Sequence, residues 1–280
     1  MTSIRDVWVR GAERLAAAGI DSARLDARVL LAHTMSLSVG ESISGREPSR
    51  DELARYDELL ERRIAREPVA YIIGEREFWS LPFAVGPGVL VPRPETEALL
   101  EAAARLFPDH NQPLEVLDLG TGSGAILIAF LTDYPQASGT GIDCSAEALS
   151  WARRNAERLG IINRSTWNRG GWEAAEGRSF DLIFCNPPYV ALGEAEGLAR
   201  EIAAYEPREA LFAGPDGLDA YRALAPVAAA GLKPGGRVIL EIGAGQEAAV
   251  RELLLRQRLE IVMVLPDLAG IPRAVVAGRA

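Results

Sequence analysis

Lysine is nearly absent from this chain: of 30 basic side chains only Lys233 is a lysine. That bias, and the abundance of alanine beside it, reads as genomic composition rather than function. Cysteine is scarce too, and Cys144 and Cys185 make neither a disulfide framework nor a zinc-ligand spacing. No apolar run reaches bilayer-spanning length, and the first residues lack the apolar core of a secretory signal. A soluble enzyme of the reducing cytoplasm is the expectation. Positive charge is also in deficit. With 39 acidic against 30 basic side chains the formal net charge is −9, which argues against a general nucleic-acid binder and leaves room only for a local basic patch.

What is present suffices for a large core. The 280 residues, 48% hydrophobic and 25% charged, fit one large or two ordinary globular domains. Residues 1–75 read as a separate helical bundle with nearly balanced charge, 11 arginines against 13 acids. Ile4, Val7, Trp8, Gly11, Leu15 and Ala18 fall on one helical stripe. Asp21 is placed to cap a second helix carrying Leu25, Val29 and Ala32. Ser49 and Glu52 have capping-box spacing ahead of Leu53, Tyr56, Leu60 and Ile64, and Pro68 stops that helix. His33 reads as structural. A bridge over residues 76–94 suggests a β-hairpin, with Gly86-Pro87-Gly88 as the turn between two short extended runs. Pro94, Glu95 and Glu97 suit the first turn of a helix.

From residue 114 onward strands and helices alternate, which predicts a mostly parallel sheet with helices on both faces. The last two apolar runs, 259–265 and 273–277, have no helix between them and so predict an antiparallel pair at the sheet edge. The expected fold class is therefore α/β. A Rossmann-like sheet spans 95–280, behind a small helical domain at 1–75 and a hairpin linker at 76–94.

Chemistry in such sheets gathers at the C-terminal strand ends. The first strand ends in Asp118-Leu119-Gly120-Thr121-Gly122-Ser123-Gly124, whose glycines let a ligand lie on bare backbone at a helix start. About twenty residues on, Asp143 ends the second strand, where a carboxylate can accept both ribose hydroxyls. Together they predict an adenosine-containing cofactor, and a nicotinamide dinucleotide fits the glycine pattern as well.

The discriminating stretch is Asn186-Pro187-Pro188-Tyr189, which ends the apolar run Phe180–Cys185. Proline cannot continue a central strand, so an amide, exposed carbonyls and an aromatic ring are held on a stiff turn. Those parts suit gripping a planar –NH2 group. Hydride transfer has no use for them, whereas methyl transfer to a delocalised nitrogen does. Asn186 Oδ1 and the Pro187 carbonyl would each accept one N–H, orient the nitrogen and stabilise its growing charge, with Tyr189 packed on the flat group.

The glycine loop and Asn-Pro-Pro-Tyr resemble the amino-methyltransferases. Three further stretches, Glu67–Trp79 running into Leu90–Glu97, Glu206–Phe212 and Asp216–Tyr221, are similar to the peptide chain release factor glutamine methyltransferases, the PrmC/HemK family. The resemblance implies S-adenosylmethionine as cofactor. It implies as substrate the side-chain amide nitrogen of the glutamine in the Gly-Gly-Gln tip of bacterial class I release factors. Carried over by position, Gly120, Thr121, Gly122, Ser123 and Gly124 line the methionine end, Asp143 the ribose and Trp172 the adenine, with Asn186 reaching the cofactor too. Asn186, Pro187, Pro188 and Tyr189 hold the glutamine. Family members commonly carry an acid just before the position of Trp172, where this chain has Gly171. The helical domain would dock the release factor, and no membrane, no nucleic acid and a monomeric state are expected. Arg93, Glu95 and Glu241 fall near the site's edges, where helix capping or sheet-end pairing accounts for them as well. A DNA or RNA amino-methyltransferase acting at adenine N6 would share the Asn-Pro-Pro-Tyr chemistry but call for a basic groove. A non-catalytic adaptor would have no reason to keep the glycine loop, Asp143 and Asn186 together.

Overall fold

The computed structural model of the chain describes residues 3–37 and 46–279. Two compact units result, one made of Met1–Glu75 with Ala199–Tyr205, the other of Arg76–Leu198 with Glu206–Ala280. Residues 199–205 thus leave the range expected of the larger domain and cluster with the helices.

In the helical unit α1 (Ile4–Ala17), α2 (Ala23–Met35), α3 (Arg50–Ile64) and the short α4 (Val69–Ile73) enclose a core of Leu15, Leu30, Leu31, Tyr56 and Leu60. Ser49 and Glu52 form the capping box reciprocally, satisfying two orphan amides at the start of α3. The stripe expected on α2 is displaced. Leu25 is 60% exposed, and the buried face instead carries Ala23, Asp26, Ala27, Leu30 and Leu31. The apolar members of that face pack into the bundle core, and Asp26 is tolerated among them because Arg63 Nε donates to its Oδ2 at 2.8 Å. The same guanidinium donates to Glu201 Oε1 at 2.6 Å, on the short helix at 200–205, and Tyr205 donates its hydroxyl to the Ala65 carbonyl. Arg63 is 4% exposed, so both carboxylates are needed to hold its charge out of water.

The larger unit opens with a hairpin, β1 (Glu75–Phe78) and β2 (Leu81–Ala84). Its turn is Trp79-Ser80, both left-handed at φ 52° and 58°, not Gly86-Pro87-Gly88, which lies in the loop that follows. The Trp79 backbone N–H donates to Glu97 and its indole N–H to Asp133, so side chains elsewhere secure a turn that its own residues disfavour.

Next come α5 (Glu97–Leu106), β3 (Glu115–Leu119), α6 (Ala125–Asp133), β4 (Ser138–Asp143), α7 (Ala146–Arg158), β5 (Ser165–Arg169) and β6 (Phe180–Cys185). After the short helix at 200–205, α8, follow α9 (Asp219–Gly231), β7 (Leu232–Glu241), α10 (Glu247–Arg256), β8 (Glu260–Pro266) and β9 (Pro272–Gly278). The seven-stranded sheet has the order β5-β4-β3-β6-β7-β9-β8. Only β9 runs against the rest, pairing antiparallel with both β7 and β8. Both faces are covered, and the alternation of β6 shows it: Leu182 and Phe184 join the core beneath α5, α6 and α7, while Ile183 and Cys185 join the one beneath α9 and α10. Strand order reverses between β3 and β6, and the register Leu119↔Cys185 brings Gly120 and Asn186 side by side at that switch point.

Candidate active site

A cavity of about 590 Å³ opens over these strand ends. That volume accommodates a nucleoside with a side chain. Its wall is drawn chiefly from the segment before α5 (Gly88 to Leu90, Pro92, Arg93 and Thr96), the glycine loop, Ile142–Ser145, Gly170–Trp172, Asn186 with Pro188, and Pro207 with Glu209 and Ala210. Of the predicted residues Gly120, Thr121, Gly122, Ser123, Asp143, Trp172, Asn186 and Pro188 face it, whereas Gly124, Pro187 and Tyr189 do not.

The glycine loop takes left-handed φ at Gly120, Gly122 and Gly124 (71°, 56° and 79°), a conformation open to few other residues. Helix α6 therefore begins only at Ala125, with Gly124 as its cap. A Cβ at Gly124 would stand 2.9 Å from Ile128 and 3.0 Å from Trp167, so this third glycine serves close packing rather than the cavity wall. Asp143 Oδ2 accepts from the Gly122 N–H and Oδ1 from the Ser145 N–H, both at 2.9 Å. Each oxygen keeps a second lone pair, so the carboxylate can shape the loop and still accept from a diol. The indole of Trp172 stands close to Gly120 on the same wall. Beside it the Gly171 N–H donates to Glu173 Oε1 at 3.1 Å, so a carboxylate from two residues later folds back over that glycine. Asn155, fully buried on α7, donates to the Ser123 and Ala84 carbonyls and accepts from the Ala84 N–H. One amide thereby braces the loop and the hairpin together.

Asp118 is fully buried. The Thr121 hydroxyl donates to its Oδ2 at 2.6 Å, and among the described residues Oδ1 has no partner within hydrogen-bond geometry, the Leu127 backbone N–H acting on the carboxyl more weakly. Burial pushes its carboxyl up to about 7, helped by the charge of Asp143 and opposed by that hydroxyl.

At the end of β6, Asn186 Nδ2 donates to Thr96 Oγ1 at 3.2 Å. The Thr96 hydroxyl donates in turn to Glu241 Oε2 at 2.5 Å, and the Tyr189 hydroxyl to Glu241 Oε1 at 3.3 Å. Glu241 ends β7, the strand next to β6, and is 1% exposed. Burial brings its carboxyl up to about 7 against the pull of Thr96, Arg273 and Tyr189. Burial and the neighbouring Glu241 also hold the Tyr189 phenol well above its usual range. Pro187 is buried, and the Tyr189 carbonyl accepts from Gln246 Nε2 at 2.9 Å. A Cβ at Gly217 would fall 2.3 Å from that same carbonyl, which explains a glycine in Asp216-Gly217-Leu218. Nearby, Arg93 donates to Glu206 Oε1 at 2.5 Å, fixing the first glutamate of the Glu206–Phe212 stretch against the residues before α5.

Nothing in the sequence singles out Thr96, and sheet-end pairing accounts there for Glu241. The one signal for Glu241 is a carboxylate closing the apolar run Val238-Ile239-Leu240 at the end of a central strand.

Residues 6–74 match the family model of the PrmC N-terminal domain and residues 96–211 that of the methyltransferase small domain. Over 96% of this chain and 92% of its own length, the release factor glutamine methyltransferase of Bradyrhizobium diazoefficiens is 46% identical. That of Cereibacter sphaeroides is 48% identical over 94% of each chain. This chain belongs to the release factor glutamine methyltransferase family. Among solved structures, a methyltransferase from Pyrococcus furiosus shares the fold at a TM-score of 0.51 and 19% identity, over 78% of this chain and 95% of that one. A T. thermophilus 16S rRNA N2 methyltransferase, solved with AdoMet and guanosine, does so at 0.52 and 22% identity, over 74% of this chain and 50% of that one. Within the family fold, the cavity holds the glycine loop, Asp143 and the start of Asn186–Tyr189 in one enclosure.

Proposed function

We propose that this family member transfers a methyl group from S-adenosylmethionine to the side-chain amide nitrogen, N5, of the glutamine in the Gly-Gly-Gln loop of bacterial class I peptide chain release factors. The observation that carries the reading is a single cavity with a nucleoside cradle on one wall and Asn186 on another. Bare backbone at Gly120 and Gly122 with the free lone pairs of Asp143 suits the methionine and ribose parts, and Trp172 offers a flat face to the adenine. When bound, the cofactor supplies a methyl carbon activated by its sulfonium. The chain's own work is orientation: Asn186 Oδ1 and the Pro187 carbonyl accept the two amide N–H bonds and aim the nitrogen lone pair. As positive charge grows on that nitrogen both acceptors stabilise it, so no strong base is needed before transfer; the sulfur would keep the electron pair of the broken S–CH3 bond, leaving S-adenosylhomocysteine, and the amide proton would depart afterwards.

Pro187 and Tyr189 lie behind the cavity wall, which supports roles through backbone and packing rather than through a broad open face. Among the described residues Arg93 is the one cation on the wall, beside the carboxylates Asp143 and Glu209, a poor groove for a nucleic-acid backbone. The helical unit would dock the release factor, and the enzyme would act as a monomer in the cytoplasm.

Labelled methyl transfer to a purified release factor tests the reading, with a tip variant lacking the glutamine and duplex DNA as controls. Label is expected on the intact release factor alone, and Asn186→Ala should lower the rate by roughly 10²-fold. Label on DNA alone, or undiminished transfer by Asn186→Ala, would overturn it.

A further inference from the structure

We propose that Thr96 and Glu241 form a positioning relay that dictates which end of the Asn186 amide meets the substrate, an inference that rests on the methyl-transfer reading above. An asparagine amide is nearly symmetric in shape, and turning it by 180° exchanges an acceptor for two donors. The grip on a substrate –NH2 requires the acceptor. Something must therefore hold the amide one way round.

Proton counting identifies what does. Thr96 has a single hydroxyl proton, and with Glu241 ionised the Oε2 at 2.5 Å takes it. Only lone pairs remain on Thr96 Oγ1 for the Asn186 group at 3.2 Å, so that group must be the –NH2. Oδ1 is thereby turned away from Thr96 and left for the substrate. The relay has one polarity once its root is ionised, above the value of about 7 to which burial lifts it, because a carboxylate accepts whereas the protonated acid also donates. Its two side-chain partners, the Thr96 and Tyr189 hydroxyls, are both neutral donors. Arg273, whose charge acts on Glu241, gives its own hydrogen bonds to Asp267 and the Ile242 carbonyl.

Burying a carboxylate on two hydroxyls is costly, and packing alone would be served better by an apolar side chain. A fixed acceptor is what the apolar side chain could not supply. Because Tyr189 binds the same carboxylate, both ends of Asn186–Tyr189 are anchored to one group on β7.

Valine is the near-isostere of threonine without the hydroxyl, and serine keeps the hydroxyl with less packing. Single-turnover methyl transfer and S-adenosylmethionine affinity are measured on the full chain for Thr96→Val, Thr96→Ala and Thr96→Ser, and for Thr96→Val combined with Asn186→Ala. Thr96→Val and Thr96→Ala should each lose about tenfold in transfer rate, one hydrogen bond's worth. Cofactor affinity should stay within about threefold of the parent on the same scale, and Thr96→Ser should restore most of the rate. Adding Thr96→Val to Asn186→Ala should cost nothing further, because the relay acts through that amide. A packing role would reverse the order, with Val at the parental rate and Ser below it, and would overturn the relay. Equal losses from Thr96→Val in both backgrounds would overturn it too. Full activity in Asn186→Ala would overturn the methyl-transfer reading and the relay with it. An inactive Asn186→Ala beside a fully active Thr96→Val would overturn the relay alone.

Discussion

Asp118 and Glu241 are two carboxyls that burial lifts to about 7, from ordinary values of 3.8 and 4.5. Between the ordinary and the lifted value the folded chain binds more protons than the unfolded one, so stability falls as pH rises through that window and levels off above it. Asp118→Asn removes one of the two contributions. Its melting temperature, compared with the parent's, should rise steadily between about pH 4 and pH 7 and hold constant beyond. A parallel pair of melting curves across that range would refute the assignment. Asp143, Asn186 and the glycine loop were legible in the sequence because their chemistry is local: a loop after a strand, a carboxylate at a strand end, two prolines stopping an apolar run. Thr96 and Glu241 were not, since the contacts that give them meaning join residues 90 and 145 positions apart. Each also has a sufficient local explanation, one at a helix start and the other at a strand end.

At the scale of elements the alternating half was the easier to read. Periodicity and turn residues placed the parallel strands and the antiparallel final pair close to where they are found. The hairpin forms in the expected region but on a different turn. Gly86-Pro87-Gly88 carries the stronger local signal, yet the chain reverses at Trp79-Ser80, held by Glu97 and Asp133 from outside. Local preference and tertiary anchoring disagree there, and anchoring wins. Ser80→Gly should therefore stabilise the protein by about 0.5 kcal/mol, since a left-handed position favours glycine while the unfolded chain gains entropy. A lowered denaturation midpoint in Ser80→Gly would count against that account of the turn. On α2 the apolar stripe that packs into the bundle runs through Ala23, Ala27, Leu30 and Leu31 rather than Leu25, and its one acid, Asp26, is masked from the periodicity because Arg63 pairs with it from α3.

Across the whole molecule, the helical unit depends on that arginine. Arg63→Met preserves volume but strands Asp26 without its cation and leaves Glu201 only Arg66, at 3.9 Å, at a cost of about 3 kcal/mol. With two compact units the loss need not be global. Arg63→Met should show an early transition confined to helix signal, retain S-adenosylmethionine affinity, and act poorly on an intact release factor. A single cooperative transition, or parallel loss of cofactor affinity and transfer, would contradict both the separateness of the units and the docking role given to the helices.

Glu201 is also the latest of the three charges to be made. On a ribosome the chain appears N-terminus first, and the residues of α1 to α4 are out well before β3. The bundle then has Asp26 for Arg63 but not Glu201, and lacks the helix at 200–205 that Tyr205 ties to Ala65. Four of the seven strands of the large sheet precede that helix in synthesis. The first unit to emerge is thus not the first to be completed, and its final piece arrives only with chain that has already passed through the other.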